Sequence, residues 1–252
     1  MARILYVFPH PDDESFGPGP GMARQRRCGH EVFLLTLTRG EATRERARYG
    51  YTKAEMGAVR YREMQAVAEV LDLTDLTVLD FPDGALAELD PRVLEAAVQQ
   101  HVERVRPHVV VTYPVHGISG HPDHLVTHAV VKRVYCERRA HEASLRRLAF
   151  FTLFEDGDPE GGGPGRPAHL RGSPREAIDC IVPVGEADRQ QGEAALACYV
   201  TYQAVVQAHD PLAQVAGGIP FELFQEHPRP RLRDLCEGLE DNPARPAAST
   251  AP

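Results

Sequence analysis

The sequence predicts an α/β fold, with a mainly parallel sheet covered by helices on both faces. Three observations carry this. Short β-rich runs such as ILYVF (Ile4 to Phe8) and VFLLTLT (Val32 to Thr38) are almost continuously apolar, as strands covered on both sides must be. Segments of helical character separate them. The alternation of strand and helix persists from residue 4 to about residue 154, the pattern of parallel strands joined by helical crossovers.

Taken in order, Ile4 to Phe8 is the first strand. MARQRRCGH (Met22 to His30) follows as a helix with Gly29 as its C-cap, and Val32 to Thr38 is the second strand. Lys53 to Leu73 places Met56, Val59, Met64, Val67 and Leu71 on one broad helical face. LTVLDF (Leu76 to Phe81) is the third strand. Asp90 and Pro91 supply an N-cap and a first helical residue for the segment to Arg106. HVVVTYP (His108 to Pro114) is a buried strand, His121 to Arg139 a helix, and RLAFFTLF (Arg147 to Phe154) a further strand. The Gly- and Pro-rich stretch 155–174 is expected as a loop or flap, Ala177 to Val184 as a late strand and Gly185 to Val206 as a late helix. One catalytic domain over 1–240 and a frayed tail over 241–252 complete the expected organisation.

A chain of 252 residues can bury a substantial core, and 42% apolar with 25% charged residues is ordinary for a globular protein. A formal net charge of -8 argues against nucleic acid or an anionic membrane as partner. No apolar run approaches the roughly 20 residues of a membrane helix, and no signal segment opens the chain, so a cytoplasmic location is expected. Five cysteines without a CxxC argue against a disulfide framework, and Cys28, Cys136, Cys180 and Cys198 are read as inert thiols in the core or its margin.

Chemistry-bearing residues gather where strands end. HPDDE follows the first strand, TRGE (Thr38 to Glu41) the second, FPDG (Phe81 to Gly84) the third, and YPVHGISGHPDH (Tyr113 to His124) the fourth. In a parallel sheet those ends share one rim, where ligands bind. His10, Asp13 and His124 make a two-histidine, one-carboxylate set that suits catalytic zinc or ferrous iron. His121 and His124 share one face of a helix start, so one can bind metal while the other addresses substrate. The bland alternative makes Asp12 and Asp13 a turn or helix cap. His128 is read as a surface or supporting histidine, and His116 is left undecided. His30, His101, His108, His141, His169, His209 and His227 are expected at solvent or an interface. GPGPG (Gly17 to Gly21) fails the G-x-G-x-x-G spacing, and pyrophosphate there would face Asp12, Asp13 and Glu14. The ladder reads instead as a stiffened path into the first helix, its small residues permitting close approach to the site.

HPDDE and HPDH in this order and spacing resemble the two signature motifs of the PIG-L / LmbE-like N-acetylglucosaminyl deacetylases, which include deacetylases of bacillithiol and mycothiol biosynthesis. TRGE, the Arg60 to Glu63 helix and FPDG add to the likeness, which covers residues 4 to 135 well. The resemblance implies a Rossmann-like three-layer fold and a zinc-dependent hydrolase that removes acetyl from a GlcNAc-containing small molecule, with GlcNAc-malate a candidate and ferrous iron a second choice of metal. It makes His10, Asp13 and His124 the metal ligands, Asp12 the general base, and His121 the group that polarises or protonates at the carbonyl. Arg60 and Asp83 match substrate-orienting positions, and Glu14 is read separately as a carboxylate that either supports the site from behind or orients the substrate. It also implies a homo-oligomer. The chain departs from the family pattern at CYVTYQ, where Tyr199 stands near an expected histidine. The arginines at 39, 44, 46 and 48 form either a solvated loop or a flap for an anionic aglycone such as malate. Another metal-dependent amidase or a phosphoesterase is the runner-up, and a non-catalytic sugar-binding protein a distant third.

Overall fold

Alternate residues of the first strands face opposite ways into two apolar layers, and this decides the architecture. β1 (Arg3–Phe8), β2 (Glu31–Thr38), β3 (Asp75–Phe81), β4 (Val109–Thr112) and β5 (Arg147–Phe151) run parallel. Ile4, Tyr6 and Phe8 of β1 join one core cluster with Val32, Leu34, Val109 and Val111, while Leu5 and Val7 join the other with Leu35, Leu37 and Val110. Both faces are thus buried, as the unbroken apolar runs predict. The computed structural model describes residues 1–157 and 168–239. The tail expected over 241–252 and the middle of the 155–174 loop lie outside the described residues.

Helices α1 (Gly19–Arg27), α2 (Lys53–Val70) and α6 (Glu186–Cys198) pack together on the first layer, and α3 (Pro91–Val105) packs on α5 (Pro122–Arg138) on the second. Thr52 caps α2 in a reciprocal box with Glu55, and Asp90 caps α3 by accepting from the Arg92 N–H. The single-turn helix α4 (Gly117–Gly120) immediately precedes α5.

The strand order is β3-β2-β1-β4-β5-β7-β6, where β7 is Ile219–Leu223 and β6 is Cys180–Val182. β7 runs antiparallel to both neighbours, so the sheet is mainly but not wholly parallel. The chain reverses its direction of travel between β1 and β4, the switch point at which open α/β sheets leave a crevice.

Several elements differ from the sequence reading. The first helix begins at Gly19, so the glycine ladder supplies its opening turn, with Pro20 near the start. A Cβ on Gly17 would collide with the Phe151 ring and one on Gly21 would press on Ile219, so the small residues permit close approach to β5 and β7. The late helix breaks after Cys198, and after a turn of 3-10 helix the chain resumes as α7 (Gln203–His209). β7 carries a proline and was not anticipated. All five cysteines are free, and Cys28 and Cys136 are exposed rather than marginal to the core. Nor are the outlying histidines uniformly at solvent: His101 is buried and bonds to the Ala97 carbonyl, while His30 accepts from the Ala2 N–H and meets Asp234. Among the described residues no helix is long and apolar enough to cross a membrane.

Candidate active site

The segment leaving β1 turns sharply at Asp12, whose φ of 90° lies in the left-handed region unfavourable to a side chain other than glycine. Three hydrogen bonds hold it there. Its N–H donates to the Tyr199 hydroxyl at 2.8 Å, and Arg60 donates to Asp12 Oδ2 at 2.7 Å and to the Pro11 carbonyl at 2.8 Å. The turn aims His10 and Asp13 toward β4 while Asp12 keeps a side-chain exposure of 14% in the cavity.

His10, Asp13 and His124 converge. His10 Nδ1 lies 3.5 Å from Asp13 Oδ2, and His124 Nε2 lies 3.4 Å from Asp13 Oδ1. Each imidazole is anchored through its other nitrogen. His10 Nε2 meets Asp123 Oδ2 at 3.2 Å, and His124 Nδ1 donates to the Gly117 carbonyl at 2.9 Å. In their neutral forms, rings held in this way would each turn a lone pair toward Asp13, as metal-binding histidines require. The Tyr113 hydroxyl donates to Asp13 Oδ1 at 2.7 Å, and the Tyr113 ring stacks on His124 with centroids 4.2 Å apart. His128 donates to the Tyr113 carbonyl, which places it behind the site. The donor set therefore fits a divalent ion such as zinc. His121 adds a further option, because its ring and those of His10 and His124 present nitrogen atoms within 4.8 Å of one another.

His121 caps α5: its Nδ1 accepts the Asp123 N–H at 3.2 Å, so a neutral ring carries its proton on Nε2. Gly117, with φ of 62°, lets the chain pass close to α5, where a Cβ would sit 2.9 Å from that of His124. Ile118 follows with φ of 56°, a second strained residue beside the site. His116 accepts from the Ile118 N–H and meets Ser173, so it braces this turn.

Charge states follow from the surroundings. Burial pushes the Asp12 carboxyl up to about 6 despite the adjacent Arg60 guanidinium. Burial also opposes ionisation of Asp13, yet His124 and His10 outweigh it and hold the carboxyl down at about 2. Burial works against a charged His10 as well, but its bonds to Asp123 and Asp13 hold it up at about 10.

The remaining predicted residues divide. Asp83 lines the cavity, accepts the Ala42 N–H at 2.6 Å, and places Oδ1 3.4 Å from His10 Nε2. Arg60, read as a substrate-orienting residue, is 2% exposed and holds Asp12, with its guanidinium 4.5 Å from the centre of the Tyr202 ring. Glu14, read as either a supporting or a substrate-orienting carboxylate, has 0% exposure and does not line the cavity; its Oε1 accepts from Ser15 and Tyr199, each at 2.6 Å, so it stands behind the site. Of the arginines at 39, 44, 46 and 48, Arg44 alone lines the cavity, while Arg39 pairs with Asp80 and Arg48 with Glu45. Sequence reasoning passed over Asp123, Tyr113 and the role of Tyr199. Asp123 had a signal, lying between the two histidines of HPDH, and it ties the third-strand loop to the site by accepting from Gly84 and Leu86 N–H groups.

Comparison with known proteins agrees with this geometry. The family model described as GlcNAc-PI de-N-acetylase (PIG-L) matches residues 5–135. A Kineococcus radiotolerans relative, 1D-myo-inositol 2-acetamido-2-deoxy-alpha-D-glucopyranoside deacetylase, is 31% identical over 96% of this chain and 79% of its own length. The chain spans about half the length of several other curated relatives of that description. The zinc-inhibited form of teicoplanin deacetylase Orf2 shares the fold with a TM-score of 0.65 at 15% identity, covering 88% of this chain and 97% of that one. GalB, the 4-carboxy-2-hydroxymuconate hydratase of Pseudomonas putida KT2440, shares it with a TM-score of 0.67 at 17% identity, covering 92% and 100%. These structural likenesses establish the fold alone. The paired HPDDE and HPDH motifs, the family match and the near-full-length relative together place the chain in the PIG-L family of GlcNAc-PI de-N-acetylases.

Proposed function

We propose that the protein is a metal-dependent N-deacetylase acting on a GlcNAc-containing small molecule, with zinc at the site and ferrous iron as the alternative. One observation carries the reading: two imidazoles, each anchored through one nitrogen, turn the other toward the carboxylate of Asp13. A divalent ion held by His10, Asp13 and His124 supplies an acidified water and a Lewis acid toward the amide carbonyl.

The protein's own groups do the rest. Asp12 takes the proton of the attacking water and returns it to the departing amine, a task suited to a carboxyl held near 6. Arg60 holds that carboxylate, and Tyr199 the backbone N–H of the same residue, before substrate arrives. His121, with its proton on Nε2, donates to the oxyanion that develops on the carbonyl. Asp83, at the cavity wall, accepts hydroxyl protons of the sugar. His116 and Ser119, through the turn before α5, keep His121 and His124 in register.

The test is acetate release from GlcNAc conjugates by metal-loaded protein, run beside metal analysis of Asp12→Asn and His124→Ala. Asp12→Asn is expected to keep its metal and lose at least about a hundredfold in kcat, whereas His124→Ala loses the metal. Full activity in Asp12→Asn would overturn the assignment of the base.

A further inference from the structure

Arg60 and Glu63 lie three residues apart on α2 and share one face of it, both buried, at 2% and 7% exposure. Arg60 holds the HPDDE turn. Glu63 points its carboxylate into the break between α6 and α7. Its Oε1 accepts the Thr201 N–H at 2.7 Å, and its Oε2 accepts the Thr201 hydroxyl at 2.9 Å. Both oxygens are thus committed to one residue 138 positions away. Glu63 does not line the cavity, and the proposed reaction does not use it.

Thr201 is the middle residue of the short Val200–Tyr202 turn, and the tyrosines on either side of it meet the candidate active site. Tyr199 accepts the Asp12 N–H at 2.8 Å and donates to Glu14, while the Tyr202 ring centre lies 4.5 Å from the Arg60 guanidinium. Where a helix breaks, its last backbone groups lack helical partners. Glu63 supplies a partner to the Thr201 N–H. Gln203 supplies others, its Nε2 donating to the Leu196 and Tyr199 carbonyls at 2.8 and 3.0 Å. The bonds close a circuit. It runs from Arg60 to Asp12, on to Tyr199, along the turn to Thr201, and through Glu63 back to α2. One helix therefore grips the strained Asp12 residue from two sides.

We infer that Glu63 is a positioning residue for Asp12, acting through Thr201 and Tyr199. The inference rests on the deacetylase reading and adds a residue to that same site. By fixing the turn, Glu63 sets where the Tyr199 hydroxyl lies, and with it the bend that separates His10 from Asp13. It therefore bears on the hold on a metal ion as well as on the aim of Asp12. The plainer role, bracing α6 against α2, is one that Gln191 fills nearby by donating to the Val70 carbonyl at 2.7 Å. Removing the Gln191 side chain loosens the same two helices without touching the circuit, which makes it the structural comparison.

The experiment sets Glu63→Leu, Glu63→Gln, Tyr199→Phe, the double variant of Glu63→Leu with Tyr199→Phe, and Gln191→Ala beside the parent. Each is assayed for acetate release from GlcNAc, GlcNAc-malate and GlcNAc-inositol at saturating zinc, for zinc Kd by chelator competition, and for urea unfolding. Glu63→Leu is expected to lose about tenfold in kcat with KM changed by less than about twofold, and to bind zinc about tenfold more weakly. Glu63→Gln can still accept the Thr201 N–H and donate to its hydroxyl, so both quantities return to within about threefold of the parent. In the double variant kcat and Kd stay within about twofold of those of Tyr199→Phe, because both changes cut one chain of bonds. Gln191→Ala unfolds at lower urea with kcat and Kd unchanged. Should Glu63→Leu fail to fold, Thr201→Val takes its place, with losses of about fivefold that again do not multiply with Tyr199→Phe. Losses that multiply in the double variant, parental kcat and Kd in a folded Glu63→Leu, or equal kcat losses in Glu63→Gln and Glu63→Leu overturn the inference. Acetate from none of the conjugates sinks the deacetylase reading, and the zinc Kd values of the same variants then still decide the role of Glu63.

Discussion

Asp12 sits in a backbone conformation that costs free energy, and the side chains around it show what holds it there. Tyr199 accepts the Asp12 N–H and donates to Glu14, so one hydroxyl from the late part of the chain ties two residues of the HPDDE segment. Tyr199→Phe removes it and leaves a buried N–H and a buried carboxyl short of a partner. The variant is expected to lose about 1–3 kcal/mol in urea unfolding and about tenfold in kcat with KM little changed; unchanged kcat would reduce Tyr199 to a packing residue. Glu14 makes a second test. Burial pushes its carboxyl up to about 7 from an ordinary value of 4.5. The folded state therefore binds the Glu14 proton more tightly than the unfolded state does. Stability from this group is greatest below the unfolded value, falls as pH rises from about 4.5 to about 7, and levels off above. Glu14→Gln cannot ionise, so with metal held saturating it should exceed the parent above pH 7 by up to about 3 kcal/mol and show no gain at pH 4. Parallel stability curves for the two proteins would refute this.

At the scale of elements, the early strands and helices were legible because their apolar spacing reflects burial that any partner on that face would provide. β1, β2, α2 and α3 follow their sequence pattern closely. β7 was not legible, since Pro220 and Glu222 break its pattern and its pairing with β5 and β6 comes from segments 30 or more residues away in sequence. The glycine ladder was legible as punctuation but not in purpose. Its role appears only where α1 meets the sheet and α6. Gly192 of α6 tests that contact, for a Cβ there would lie 2.6 Å from Pro20 Cγ. Alanine should gain about 1 kcal/mol of helix propensity and lose about 1–3 kcal/mol to overpacking. Gly192→Ala is therefore expected to lower stability in thermal or urea unfolding, and a more stable variant would show that α1 and α6 can separate freely.

For the whole molecule, the fold and the site draw on different reserves. Two apolar layers cover the sheet, whereas the side chains proposed to hold the metal line the cavity at its rim. Removing the metal should therefore abolish acetate release, restored by zinc or ferrous iron, while far-UV circular dichroism stays unchanged. A chelator that unfolds the chain would show the ion to be structural instead.

Sequence alone determined the mainly parallel sheet and the rim to which the HPDDE and HPDH segments are brought, because each depends on local spacing and on burial common to the class. Only the tertiary structure decided what Arg60, Glu14, Tyr199 and Asp123 do. Those roles are set by contacts between residues up to 187 positions apart, such as Asp12 with Tyr199. A side chain's partner at that separation is chosen by how the layers pack, which no local pattern encodes.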